Sequence, residues 1–280
     1  MINTTLDPIE LGFHLEKLKK QNIDNVILEA SSHGLKQNRL NGLNFKTALF
    51  TNLSHDHLDY HKNFKNYLNA KLYLFKKLLN KNSNIITDIT IPEYKKIKKI
   101  SLRNKLNLKT IGVGKGDLNI ITHEYVGEKQ VIKIKYKNNF YNFETNLIGK
   151  IQIKNLLMAM IAAEKSNIDF KNILNVISKV NSVSGRLEKI GRIRNNSKII
   201  LDYAHTPDAL KTCLQNLKDQ FKNKKISIVF GCGGDRDKFK RSKMGQIANQ
   251  FCNKIYLTDD NPRNENPKKI RSSISWIIIC

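Results

Sequence analysis

Short apolar runs alternate with stretches of helical spacing along this chain, and that alternation restricts it to an α/β architecture built on parallel strands. The runs Asn25-Val26-Ile27-Leu28-Glu29-Ala30 and Thr47-Ala48-Leu49-Phe50-Thr51-Asn52-Leu53 have the continuous apolar character of strands covered on both faces. Residues 8–22 have helical spacing, and residues 63–80 place Phe64, Tyr67, Leu68, Leu72, Phe75 and Leu79 on one side of a helix. Strand signals follow near 85–87 and 110–113. Residues 120–145 alternate apolar and polar, as a hairpin or small antiparallel patch does. Helices are predicted over 153–166 and 170–180. The polar, glycine-containing segment at 181–186 marks a boundary between domains 1–183 and 184–280. Beyond it the pattern restarts: strand 198–203, helix 207–221, strand 225–230, helix 240–252, strand 254–258. That order predicts a second parallel sheet with crossover helices.

A length of 280 residues suffices for two domains with their own cores, and 40% hydrophobic with 26% charged residues excludes a disordered chain. The formal net charge of +25 raises nucleic-acid binding as a function class. The lysines are scattered rather than gathered, and the densest run, residues 95–99, lacks interleaved aromatics on which bases stack. They read as solvated faces, and no nucleic-acid partner is expected. Neither a signal peptide nor an apolar stretch of about 18 residues occurs, so no membrane span is expected. The apolar end 274–280 is too short for one. Cys213, Cys232, Cys252 and Cys280 lack metal-site spacing, and this usage suits a reducing cytoplasm.

Ligands of doubly wound sheets gather at the carboxyl ends of strands, which directs attention to residues 29–33 and 52–61. Glu29-Ala30-Ser31-Ser32-His33-Gly34 offers a carboxylate to a divalent metal and hydroxyls to phosphate or carboxylate oxygens, although taken alone a polar turn capping the next element explains it better. Residues 52–61 hold three histidines (55, 57 and 61) and two aspartates (56 and 59). The residue types suit metal or acid–base chemistry, with Mg²⁺ beside phosphates favoured over Zn²⁺ in such oxygen-rich surroundings. Gly231-Cys232-Gly233-Gly234-Asp235-Arg236-Asp237-Lys238 joins a strand to a helix and lets backbone approach an anion closely, but it is not a Walker A loop. Gly112-Val113-Gly114-Lys115-Gly116 also departs from that pattern and reads as a turn. In Asp260-Asn261-Pro262-Arg263 the arginine is a planar fork able to hold a carboxylate through two hydrogen bonds.

Taken in order, these segments resemble the Mur ligase family. Residues 29–39, then 51–61 with Ala70-Lys71, resemble its central domain. Ser184-Gly185-Arg186-Leu187-Glu188, Asp202-Tyr203-Ala204-His205-Thr206-Pro207-Asp208, the 231–238 loop and Asp260-Asn261-Pro262-Arg263 resemble its C-terminal domain, the last matching the diaminopimelate-adding branch. The resemblance covers the chain to about residue 270. It implies two parallel-sheet α/β domains: a partial central, P-loop NTPase-like domain and a partial Rossmann-like C-terminal one. It implies ATP-dependent amide ligation, through an acyl phosphate, of meso-diaminopimelate to UDP-N-acetylmuramoyl-L-alanyl-D-glutamate for peptidoglycan. Thr4, Thr5, Ser31, Gln37 and Arg39 would then hold the nucleotide-linked precursor. Glu29 and His57 would bind Mg²⁺, with a catalytic role for His57 and for Lys71, the latter carbamoylated. His205 would lie near the nucleotide. Arg236, Asp260, Asn261, Pro262 and Arg263 would recognise diaminopimelate. The family's phosphate-binding loop would precede Thr4 and is not in this sequence, so the resemblance also implies a piece without turnover. The competing expectation is a precursor-binding protein that has lost ATP chemistry. The family's Gly-x-Phe-Asn segment stands here as Gly149-Lys150-Ile151-Gln152.

Overall fold

The computed structural model describes residues 4–54 and 56–275. His55, placed above in the histidine cluster, and the terminal residues 276–280 lie outside the described residues. The first half begins with helix α1 (Pro8–Lys20), nucleated by Asp7, whose carboxylate accepts the Ile9 N–H at 2.9 Å. The short helix α2 (Ser32–Lys36) is capped by Ser31. Strand β1 (Phe45–Phe50), helices α3 (Leu58–His61) and α4 (Phe64–Lys77), strand β2 (Leu79–Asp88), helix α5 (Tyr94–Arg103) and strand β3 (Asn107–Val113) follow. The chain continues through strands β4 (Leu118–Val126), β5 (Lys129–Tyr136) and β6 (Asn139–Thr145), then helices α6 (Lys150–Lys165) and α7 (Phe170–Val176).

The six strands form one sheet in the order β1-β2-β3-β4-β5-β6. The first three are parallel. Successive residues Ile85 and Ile86, both fully buried, show why their strand reads as an unbroken apolar run. Side chains alternate across a strand, so Ile85 packs with Phe50, Leu72 and Phe75, whereas Ile86 packs with Leu157 and Ile161 of α6. β4 is parallel to β3 only where Leu118–Ile120 meets Ile111–Val113. It therefore runs on past the carboxyl end of β3 and turns back in an antiparallel meander with β5 and β6. The β5–β6 turn places Lys137 and Asn138 at φ 47° and 65°, the left-handed pair of a tight hairpin.

The run at 25–30 does not become the expected strand. Val26 and Ile27 are 43% and 97% exposed, and the sheet begins at β1. A strand exists only when its backbone groups find a partner edge, and among the described residues this run has none.

The second half contains strands β7 (Glu188–Arg192) and β8 (Lys198–Leu201), helix α8 (Pro207–Gln220), strand β9 (Ser227–Phe230), helix α9 (Phe239–Phe251), strand β10 (Lys254–Leu257) and helix α10 (Pro267–Ser275). β9 and β10 are parallel, as expected from their crossover helix. The strand read at 198–203 does not join them: β8 pairs antiparallel with β7. The two helices α8 and α9, with α10, enclose a separate core around Leu210, Leu214, Met244, Phe251 and Ile270. Among the described residues no helix is long and apolar enough to cross a membrane.

Candidate active site

The first cluster of site residues forms where the 25–30 run enters α2. The Thr5 hydroxyl donates to the Glu29 carbonyl at 2.8 Å, accepts the Ser31 N–H at 2.9 Å and lies 2.9 Å from the Ser31 hydroxyl. Arg39 donates to the Thr5 carbonyl at 2.7 Å. Four of the residues singled out in the sequence are thus brought together. Thr5 is buried and directs its hydroxyl inward, while Thr4 is exposed. Gln37 reaches the Tyr60 hydroxyl at 3.2 Å, linking this cluster to the loop after β1.

That loop and helix α3 after it carry His57 and His61, which meet His33 of α2. His57 adopts a left-handed φ of 54°, and the Asp56 carboxylate accepts its N–H at 2.8 Å. Such a backbone in a non-glycine residue persists only where its surroundings over-determine it. The rings of His33 and His57 meet edge-on at 4.9 Å, and His61 stacks on Tyr67 at 5.2 Å. His61 is buried with its Nε2 3.0 Å from the Ser32 hydroxyl. Burial, then the neighbouring imidazoles, lowers the pKa of both His33 and His61, so these rings favour the neutral form.

Lys71 projects from α4 beside this cluster, 5.4 Å from the Tyr67 ring centre. Burial lowers its pKa, and the carboxylates of Glu29 and Asp56 act in the opposite direction. Asp56 itself is held down at about 2: burial alone would raise it, and hydrogen bonds from His205 and the His57 backbone, with both imidazole charges, outweigh that. It bridges the two halves at this site, 3.6 Å from His57 Nε2 and 3.4 Å from His205 Nε2. His205 in turn has its pKa raised, first by Asp56. Asp202 builds the turn that presents it, accepting the N–H groups of Leu187 and Ala204 at 2.8 and 2.9 Å. Lys240 donates to the His205 carbonyl at 2.8 Å.

The second cluster lies after β9 and β10. The Gly234 N–H donates to the Asn261 carbonyl at 2.9 Å. A Cβ on Gly234 would fall 1.8 Å from the Pro262 carbonyl oxygen, so only glycine permits this approach. Arg263, at φ 50°, donates through Nη1 to the Gly234 carbonyl and remains exposed. Arg236 is exposed and 3.7 Å from Asp59, a second contact between the halves. Beneath the two loops, Arg241 is 2% exposed and forms a bidentate pair with Glu265 at 3.0 and 2.8 Å, while also donating to the Gly233 carbonyl. Sequence reasoning missed Arg241, Glu265 and the bridging role of Asp56. Glu265 follows the Asp260–Arg263 motif by two residues, which was the available signal. Nothing local distinguishes Arg241 from Lys240 or Lys243.

The profile of the Mur ligase middle domain matches residues 1–163, and that of the Mur ligase glutamate ligase domain matches residues 185–278. The chain belongs to the Mur ligase family. Among Mur ligases, it is 44% identical over 273 residues to the UDP-N-acetylmuramoyl-L-alanyl-D-glutamate--2,6-diaminopimelate ligase of Rickettsia montanensis, covering 97% of this chain and 56% of that protein. It is 35% identical over 271 residues to the protein of the same name from Agrobacterium fabrum, covering 97% and 55%. The chain thus spans about half the length of the curated relatives it matches. A solved structure of a ligase of that name superposes with a TM-score of 0.70 at 33% identity, over 98% of this chain and 56% of that one. Folylpolyglutamate synthase of Mycobacterium tuberculosis, complexed with ADP and AMPPCP, shares the fold at a TM-score of 0.69 and 18% identity, over 84% and 52%.

Proposed function

We propose that the protein carrying this chain is an ATP-dependent ligase that joins meso-diaminopimelate to UDP-N-acetylmuramoyl-L-alanyl-D-glutamate in peptidoglycan synthesis. The observation that carries this reading is Arg263. Its guanidinium is anchored by one nitrogen to the Gly234 carbonyl and exposes the rest of the fork above a glycine loop, in a chain 44% identical to a 2,6-diaminopimelate ligase. Diaminopimelate differs from lysine by a distal carboxylate, and a fixed guanidinium fork is the group that discriminates that difference. Arg236 and residues 260–262 would frame the same pocket, and we place the domain boundary between 183 and 184.

Thr4, Ser31, Gln37 and Arg39 would face the nucleotide-linked precursor, with Thr5 fixing Ser31 from below. His205 would face ATP. Among the described residues no three His, Cys, Asp or Glu side chains gather into a metal set. Glu29 and His57 are a sparse pair for Mg²⁺, and they fit it when a third anion and substrate phosphate oxygens complete the set. Lys71 supplies that anion if its neutral amine takes up CO₂ and releases a proton, giving a carbamate. The lowered pKa increases the fraction of neutral amine available for that step. Mg²⁺ held there would neutralise charge on the phosphoryl group transferred from ATP to the D-Glu carboxylate. The diaminopimelate amine then displaces phosphate to form the amide.

The test is ATP-dependent coupling by the whole protein. Incorporation of meso-diaminopimelate with exclusion of L-lysine is expected, and Arg263→Ala is expected to raise the KM for diaminopimelate about 10- to 100-fold with the KM for ATP unchanged. Equal use of lysine, or equal rises in both KM values, would refute the assignment.

A further inference from the structure

Two of the places where the halves touch differ in character. Across the candidate site the contacts are the partly exposed pairs Asp56–His205 and Asp59–Arg236. At the far end of α8 two neutral, buried side chains of that helix make contacts to the first half. Gln220, 4% exposed, accepts the Gly149 N–H at 2.7 Å and donates to the Glu128 carbonyl at 3.0 Å. One turn earlier, Asn216, 8% exposed, accepts the Ile151 N–H at 3.2 Å.

These bonds answer a specific deficit. Gly149 is the N-cap of α6 and has no side chain to satisfy the first-turn N–H groups of that helix. At φ 83°, with Asn216 side-chain atoms 2.6 Å from where a Cβ would stand, it leaves room for the cap to come from α8. The other partner, Glu128, sits at the β4–β5 turn. Its carboxylate is taken by Lys189 at 2.8 Å, Arg192 at 2.6 Å and Lys198 at 3.0 Å, all from the β7–β8 pair. The hairpin tip is thus tied to the second half through both its side chain and its backbone.

α8 has 14 residues and spans about 21 Å. Its C-terminal turn is fastened at this joint, and the residue preceding its N-cap is His205. We propose that Gln220 and Asn216 are positioning residues: by capping α6 from α8 they fix the angle of the second half, and so set where His205 stands relative to Asp56. The catalytic consequence rests on the reading of His205 given above, whereas the orientation itself is measurable without activity.

Backbone amide residual dipolar couplings, collected for residues 79–145 and 207–257 of the full 280-residue chain, report that orientation. The unsubstituted chain is expected to fit one alignment frame. Gln220→Ala is expected to lose the common frame, with amide secondary shifts inside each half unchanged, which a merely local packing role would not produce. If Gln220→Ala does not fold, Gln220→Met is measured instead; it nearly keeps the volume, loses both the acceptor for Gly149 and the donor to Glu128, and is expected to lose the common frame as well. A single frame retained in the folded variant, or two frames already present in the unsubstituted chain, overturns the proposal.

Discussion

Arg241 and Arg263 are two arginines of one loop system put to different uses. Arg263 is exposed, and Arg241 is buried against Glu265. The first was legible because it ends a recognisable motif. The second was not, because a helix carrying Lys240, Arg241 and Lys243 does not declare which cation turns inward. The pair has a pH consequence. Hydrogen bonds from Arg241 and from the Asp235 N–H hold Glu265 at about 2, below its ordinary value of 4.5. A carboxylate depressed in the folded state contributes stability above its unfolded pKa and loses it as pH falls through the folded one. Arg241→Met is therefore expected to lower Tm most above pH 4.5, with the difference from the parent shrinking toward pH 2. A difference that stays constant over that range would show that the pair does not supply it.

At the scale of elements, the helices were the most readable. The run Thr206-Pro207-Asp208 predicts a helix start, and α8 begins there: the Thr206 hydroxyl accepts the Ala209 N–H at 3.3 Å and Pro207 takes the first helical position. Thr206→Ala is expected to cost about 1 kcal/mol in denaturant unfolding, and no loss would mean that Pro207 and packing suffice. Strands were less readable. Residues 25–30 and 45–50 have similar apolar character, yet only the second is a strand, because pairing is decided by a neighbour that local sequence does not name. For the same reason β8 was expected beside β9 and lies beside β7, whose Gly191 and charged residues conceal a strand. Gln152, in the segment that departs from the family pattern, donates to the Arg186 carbonyl at 2.7 Å and so helps hold the connection between the halves.

Over the whole molecule, the formal charge is +25. Some cations are consumed structurally: three converge on Glu128, and Lys109 and Lys137 pair with Asp117 and Glu164 beside a hollow of about 380 Å³ at the β3–β4 turn. What organises the molecule is the separation of its cores. One cluster lies on each face of the six-stranded sheet, and a third is drawn entirely from residues after 203. The sequence alone determined the α/β class, the helices α1, α4, α6, α7, α8 and α9, and the antiparallel character of residues 120–145, since these follow from local periodicity and turn chemistry. Only the tertiary structure decided that Asp56 faces His205, that Arg241 is the buried cation, and that α6 is capped by side chains more than 60 residues away. Those contacts depend on how two separately folded cores are set against each other, and no local pattern encodes that angle.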